Sequence, residues 1–315
     1  MRTLPALLLT ATLVASLTSC AGGPFAGGCD SPVSAGDASA VVTATGKFDT
    51  KPTVDFPTPV VTKKTERSEL LPGKGAPLQE GQTAVLKFTI LNGATGDILQ
   101  QSDYTGLGSM ITIGKSDFAA VSVGLQCATV GSRVAIVGSA KDTHAGQADP
   151  ASGIGADDAF VYVIDIVRAF PAKASGAAQI PQAGLPAVVT APNGAPGITV
   201  PKEDPPKKLE VAVLQQSDGK KVAADDHLVV KYTALVWADS SVFDSTWTKN
   251  QASIIQLKKS DTVTAGFVDG LVGQRVGSQV LLVVPPAQGF GDTGSTGVPP
   301  GSTLIYVVDI LGLAN

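Results

Sequence analysis

Histidine and cysteine are scarce: two His and three Cys are spread over 315 residues. A zinc site needs about four such ligands brought together, so a metal centre built from these side chains is not expected. Charged residues are also few, at 16 % against roughly 25 % in an ordinary globular chain. No run of Lys or Arg exceeds two residues, and the net charge is −4. The basic face that neutralises nucleic-acid phosphates is therefore missing. Only one long apolar run exists, residues 4–17 (LPALLLTATLVASL), and it falls short of the roughly 20 residues that span a bilayer. What the chain does have is a 43 % hydrophobic content, enough for cores, and a length that suits two domains of about 100–200 residues.

The apolar run follows Arg2 and reads as the hydrophobic part of a secretory signal. Behind it stands Leu17-Thr18-Ser19-Cys20, which resembles the bacterial lipobox, in which the cysteine receives diacylglycerol. The expectation is a signal peptide over residues 1–19, lipidation at Cys20, and an extracytoplasmic chain held to the cell membrane by its lipid. Residues 20–40 are small and polar, as in a flexible tether. Two cysteines remain, Cys29 and Cys127. Outside the cytoplasm disulfides persist, and we take pairing of these two as a hypothesis; the alternative is a buried Cys127 thiol with Cys29 free.

Beyond residue 40 the chain repeats itself. Val85-Leu86-Lys87-Phe88-Thr89 lies 144 positions before Val229-Val230-Lys231-Tyr232-Thr233, and Tyr162-Val163-Ile164-Asp165-Ile166 lies 144 before Tyr306-Val307-Val308-Asp309-Ile310. In between, Val130-Gly131-Ser132-Arg133-Val134 answers to Val276-Gly277-Ser278-Gln279-Val280 at an offset of 146. Pro57 and Pro201, in the lead-in segments, are again 144 apart. A constant offset at both ends marks a tandem duplication, with units at 41–169 and 185–315 and an Ala/Pro/Gly-rich linker at 170–184. In the second unit the β-branched runs 228–235, 279–284 and 303–311 read as strands. Residues 264–273 (TAGFVDGLVG) read as one short helix, with Phe267 and Leu271 on one face and Gly273 as its stop. A sheet wrapped on one short helix is an α+β domain; two plain β-sandwiches would lack that helix.

The second unit resembles the FKBP-type peptidyl-prolyl cis-trans isomerases. The likeness rests on Val230-Lys231-Tyr232-Thr233, Val242-Phe243-Asp244-Ser245-Thr246, Gly270-Leu271, Val276-Gly277-Ser278, Pro285-Pro286, Gly289-Phe290-Gly291, Pro299-Pro300-Gly301-Ser302-Thr303-Leu304 and Val307-Val308-Asp309-Ile310-Leu311, in family order. The first unit follows the same frame more weakly. The whole arrangement resembles the tandem lipid-anchored isomerases of actinobacteria. The resemblance implies two FKBP-like domains and a proline-binding bowl of Tyr232, Phe243, Phe267 and Tyr306. It further implies Asp244 and Phe290 on the rim, Val298 closing one side, and Val263 and Thr264 where a backbone N–H can hold the substrate carbonyl. Catalytic roles fall to Asp244, Tyr232, Phe243, Phe267 and Tyr306. No cofactor is implied. Asp165 and Asp309, alike in both units, read as structural, and Trp237 and Trp247 as packing or surface residues.

The sequence departs from the family pattern at three points. Phe267 stands where a tryptophan usually floors the bowl, Phe290 where a tyrosine is usual, and Ser253 where a phenylalanine walls the pocket, which puts macrolide binding in question. The first unit departs further: Phe88, Leu99, Gln100, Val121 and His144 replace Tyr232, Phe243, Asp244, Phe267 and Phe290, and Tyr162 alone remains of the bowl. That unit is expected to keep the fold without the reaction. The implied function is isomerisation of proline-containing segments of exported proteins, with a non-catalytic peptide-binding chaperone as the alternative.

Overall fold

Each half of the chain builds its sheet around its last strand. In the computed structural model, which describes residues 29–114 and 119–314, the first unit comprises β1 (Glu66–Leu71), β2 (Thr83–Asn92), β3 (Ile98–Gln101), β4 (Ser109–Thr112), α1 (Ala119–Leu125), β5 (Arg133–Gly138) and β6 (Phe160–Phe170). The strand order is β1-β5-β6-β2-β3, with β4 also on β2, and every pairing is antiparallel. The second unit comprises β7 (Glu210–Gln216), β8 (His227–Val236), β9 (Val242–Ser245), β10 (Ser253–Gln256), α2 (Ala265–Leu271), β11 (Gln279–Val284) and β12 (Leu304–Leu313). Its order is β7-β11-β12-β8-β9, with β10 on β8. The two topologies coincide. So does a register shift, between Val85 and Leu86 in the first sheet and between Val229 and Val230 in the second. These are two FKBP-like α+β domains, each an antiparallel sheet with one short helix.

The strand runs anticipated at 228–235, 279–284 and 303–311 match β8, β11 and β12. The helix forms as well. Thr264 caps it, its hydroxyl accepting from the Phe267 N–H at 3.3 Å, and Gly273 stops it at φ +87°, a conformation that costs glycine little. The helix lies close to the sheet because Gly266 and Gly270 put backbone against Val284 and Leu282. Phe267, Val268 and Leu271 are buried there.

Both faces of each sheet are covered. One face packs on the helix. The other is roofed by the lead-in segment of its unit, a two-stranded hairpin at Thr43–Thr45 and Thr53–Asp55 in the first and at Ala187–Thr190 and Pro196–Thr199 in the second. Val42, Ala44, Val54, Phe56 and Val60 pack on Ala135, Val137, Val161 and Val163, and Leu185, Val188, Ile198 and Val200 pack on Leu281, Val283, Ile305 and Val307. Sheets roofed on both sides explain why β5 and β11 read as unbroken apolar runs instead of alternating. Trp237 packs in the second roof and Trp247 lies beneath the Lys231 ammonium, 4.9 Å from its ring.

Two segments assigned to connections by sequence are folded. Residues 37–40, placed in the tether, form a helical turn whose Ala38 and Ser39 N–H groups donate to the Glu66 carboxylate at 2.9 and 3.1 Å. Within the linker, Ala177–Ala178 pairs with β7 and Ala174 is buried. The units also touch directly. Val85, Phe170, Val229, Ala252 and Leu311 share an apolar cluster, and the Arg168 guanidinium donates to the Leu313 carbonyl at 3.0 Å. Residues 31–315 accordingly make one compact body.

Asp165 and Asp309 are structural, as the repeat suggests. Asp165 accepts a two-pronged contact from Arg133 (Nε at 2.6 Å, Nη2 at 2.7 Å), and Arg133 donates onward to the carbonyls of Gly46, Lys47 and Thr50 in the roof hairpin. Both partners are at most 1 % exposed. In the second unit Gln279 replaces the arginine: its amide donates to Asp309 Oδ1 at 2.8 Å and the Ala174 N–H to Oδ2 at 2.7 Å. Arg133→Leu leaves a carboxylate buried without its cation and is expected to cost about 3–5 kcal/mol. Gln279→Leu removes one hydrogen bond to an ionisable group and is expected to cost about 1.5–3 kcal/mol. Chemical denaturation of the two variants checks the order.

Candidate functional site

The aromatic residues picked out by the sequence meet in the second unit. The alternation of side chains along a strand sets Tyr232 of β8 and Tyr306 of β12 on the helix-facing side, where Phe267 of α2 and Phe243 of β9 meet them. The Phe267 ring lies 5.3 Å from Tyr306 and 6.4 Å from Tyr232, and Phe243 lies 6.1 Å from Tyr306 and 6.5 Å from Phe290. All four contacts are edge-to-face, at 69–88°. This is the geometry that aromatic quadrupoles favour. Phe267 and Tyr306 are buried, while Tyr232, Phe243 and Phe290 are partly exposed. Val298 is buried in the same cluster and Val263 packs against it.

Charge enters at one edge. The Tyr232 hydroxyl donates to Asp244 Oδ2, and Lys249 Nζ donates to Asp244 Oδ1 at 2.7 Å. Partial burial alone would raise the Asp244 carboxyl; the hydrogen bonds from Lys249 and Tyr232 outweigh it and hold the group below its ordinary range. Tyr232 is pushed up, first by burial and then by its hydrogen bond to Asp244. The carboxylate is thus ionised and the phenol neutral at any ordinary pH. At the strand-to-helix approach the Val263 N–H is taken by the Ser260 hydroxyl at 3.1 Å, so of the two candidate donors the Thr264 N–H is the one left for a ligand.

Lys249 escaped the sequence reading; a basic residue five positions after Asp244 was its only signal. Ser253 lies on β10 opposite Val230. Cys20 lies outside the described residues. Cys29 and Cys127 are both disulfide-bonded.

The first unit differs at each corresponding point. Phe88, Val121 and Tyr162 line an open cavity of about 330 Å³ together with aliphatic side chains, and Gln100 occupies the rim. His144 has each ring nitrogen against a carbonyl oxygen, Gln147 at 2.8 Å and Asp158 at 2.9 Å, and lies against Phe160. It is held as a structural residue.

With this geometry in hand, the comparisons agree on one family. Residues 218–311 match the model of the FKBP-type peptidyl-prolyl cis-trans isomerases. That segment carries the sequence pattern of the FKBP-type isomerase family. The chain is 28 % identical over 120 residues to an FK506-binding protein of Streptomyces anulatus, covering 38 % of this chain and 96 % of that protein. It is 34 % identical over 113 residues to mouse peptidyl-prolyl cis-trans isomerase FKBP14, covering 36 % of this chain and 54 % of the relative. With FkpA of Escherichia coli K12 the identity is 31 % over 103 residues, 33 % of this chain and 37 % of the relative. The chain therefore spans about half or less of the length of the last two. Among solved structures, the three FKBP domains of wheat FKBP73 align over 79 % of this chain and 94 % of that one, with 17 % identity and a TM-score of 0.36.

In the second unit burial pushes the Tyr306 phenol up to about 12, against 10.0 for a free tyrosine, with a hydrogen bond at Thr264 acting in the opposite direction. Its folded-state value is raised, so the stability that depends on it is intact below pH 10 and is lost as the pH climbs from about 10 through about 12. Denaturation at pH 8, 10 and 11 is expected to show this decline, reduced in Tyr306→Phe.

Proposed function

We propose that the chain is a working prolyl isomerase that acts on proline-containing segments of exported polypeptides, with the reaction confined to the second unit and a lipid at Cys20 holding the protein to the outer face of the membrane. The observation that carries this is the continuous set of rings Tyr232, Phe267, Tyr306, Phe243 and Phe290, with one ionised carboxylate at its edge.

The chemistry asks for little else. Turning an X–Pro bond means breaking amide resonance, a barrier of about 18–20 kcal/mol. The twisted amide has lost much of the charge separation that water solvates in the planar form, so a dry apolar wall favours it over the ground state. In this reading Tyr232, Phe243, Phe267 and Tyr306 hold the proline ring, the Thr264 N–H takes the substrate carbonyl, and Val263, Phe290 and Val298 limit the mouth. Asp244, kept charged by Lys249 and oriented by Tyr232, interacts with the turning carbonyl or orders the rim. Phe267 and Phe290 keep water out without the hydrogen-bonding edge of larger or hydroxylated rings. Tight macrolide binding is therefore not part of this reading.

Asp244→Asn keeps the shape and removes the charge. In a protease-coupled assay on a prolyl tetrapeptide, kcat/KM is expected to fall about tenfold, the equivalent of one charge-assisted hydrogen bond of about 1.5 kcal/mol, with little change in melting temperature. The double variant Asp244→Asn, Tyr306→Ala of the full chain is expected to leave no turnover above background, since Gln100 and Val121 deny the first unit both carboxylate and aromatic floor. A wild-type chain without isomerase activity that still holds unfolded protein would replace the enzyme by a chaperone.

The two disulfide-bonded cysteines support a site outside the cytoplasm. We read Cys29 and Cys127 as partners in one bridge. Peptide mapping of the exported chain is expected to give a diacylated Cys20 peptide and a joined Cys29–Cys127 peptide, and Cys20→Ala is expected to move the protein to the soluble fraction.

A further inference from the structure

The first unit has lost the groups a reaction would use but has kept a cavity. Its volume of about 330 Å³ is walled by Phe88, Ile90, Ile111, Val121 and Tyr162. A pocket that had merely decayed would be expected to fill, because voids lined by aliphatic groups forfeit contacts. This one stays open.

The mouth of the cavity belongs to both units. Gln100 comes from the first, and residues 249–251 of the second, Lys249, Asn250 and Gln251, complete the rim. Lys249 is the residue paired with Asp244 at 2.7 Å, so a single loop forms part of this mouth and fixes the carboxylate of the isomerase bowl. Its charge is already balanced there. The rim therefore presents neutral amides, suited to main-chain N–H and C=O groups, above apolar walls. Such a site fits an uncharged, extended chain that inserts an aliphatic side chain.

We propose that the cavity of the first unit is a second, non-catalytic binding site, gripping an aliphatic side chain of the same unfolded polypeptide whose prolyl bond the isomerase bowl turns; this rests on the isomerase reading for the role of the second grip. The shared loop places the two sites side by side, so one extended chain engages both and gains by the raised local concentration of the second contact.

The test uses the full chain and two probes. Fluorescein-labelled, reduced and carboxymethylated α-lactalbumin, a permanently unfolded chain, is titrated by anisotropy, and a prolyl tetrapeptide too short to reach both sites reports turnover. Ile90→Phe fills the cavity with apolar volume and touches nothing assigned to the bowl. It is expected to weaken binding of the unfolded chain about tenfold or more, the loss of one contact of about 1.4 kcal/mol, while tetrapeptide kcat/KM stays within about twofold. Should Ile90→Phe lower the melting temperature, Ile111→Phe fills the same space from β4 and is expected to give the same split. Unchanged affinity in a folded filled variant overturns the proposal. So does complete displacement of the unfolded chain from the wild type by saturating tetrapeptide, which would place all binding in the bowl. Absence of tetrapeptide turnover in the wild type would instead remove the isomerase reading, and the affinities of wild-type and filled chains would still decide whether the cavity binds.

Discussion

The closing strand of each unit has to serve two faces at once. β6 and β12 are the middle strands of their sheets, paired on both sides, and successive side chains point to opposite faces. Tyr162 and Tyr306 enter the concavity under the helix, while three residues later Asp165 and Asp309 point to the other side and fasten a preceding segment of chain by backbone and side-chain hydrogen bonds. A slip of one residue in either strand would send the ring into the roof and the carboxylate into the apolar pocket. The position of the aromatic wall and the attachment of the lead-in segments are therefore one constraint.

The two units resolve the same demand with different electrostatics. In the first, a buried carboxylate meets a buried guanidinium that also gathers three carbonyls of the roof hairpin. In the second, burial raises the Asp309 carboxyl, while the Ala174 N–H and the Gln279 amide act against that shift. The unit that keeps the ion pair in its frame has an aliphatic pocket with no carboxylate at the rim. The unit without that ion pair carries an ionised group at the pocket edge, where Lys249 and Tyr232 can reach it.

Much of this was legible in the residues. The equal spacing of Val85–Thr89 to Val229–Thr233 and of Tyr162–Ile166 to Tyr306–Ile310 exposes the duplication because strand pairing tolerates few insertions. Tyr232, Phe243, Phe267 and Tyr306 could be placed together because their spacing follows a family frame. The roof hairpins could not be foreseen: short strands such as Thr43–Thr45 carry too few apolar residues to show a period, and their place depends on what they cover. The docking of residues 37–40 depends on Glu66, which nothing local connects to them. Lys249 was missed for a related reason, since a lysine in a turn is usually solvated and its contact with Asp244 comes from the path of the loop. The wall that residues 249–251 lend to the first unit depends on how the two sheets abut, and no pattern within one unit encodes that.

The order in which each sheet is completed has a kinetic consequence. The strand at the centre of each unit is the last one in its sequence, and its partners β2 and β8 lie about 75 residues earlier. A chain emerging amino end first, from a ribosome or a translocation channel, holds both flanks of the sheet before it holds the middle. Until β6 or β12 arrives, the helix and the roof hairpin have no common surface to condense on, and the flanking strands expose open edges. Such non-local closure slows folding and lengthens exposure to aggregation. A protein of this build would thus spend its own early life with the centre of each sheet missing.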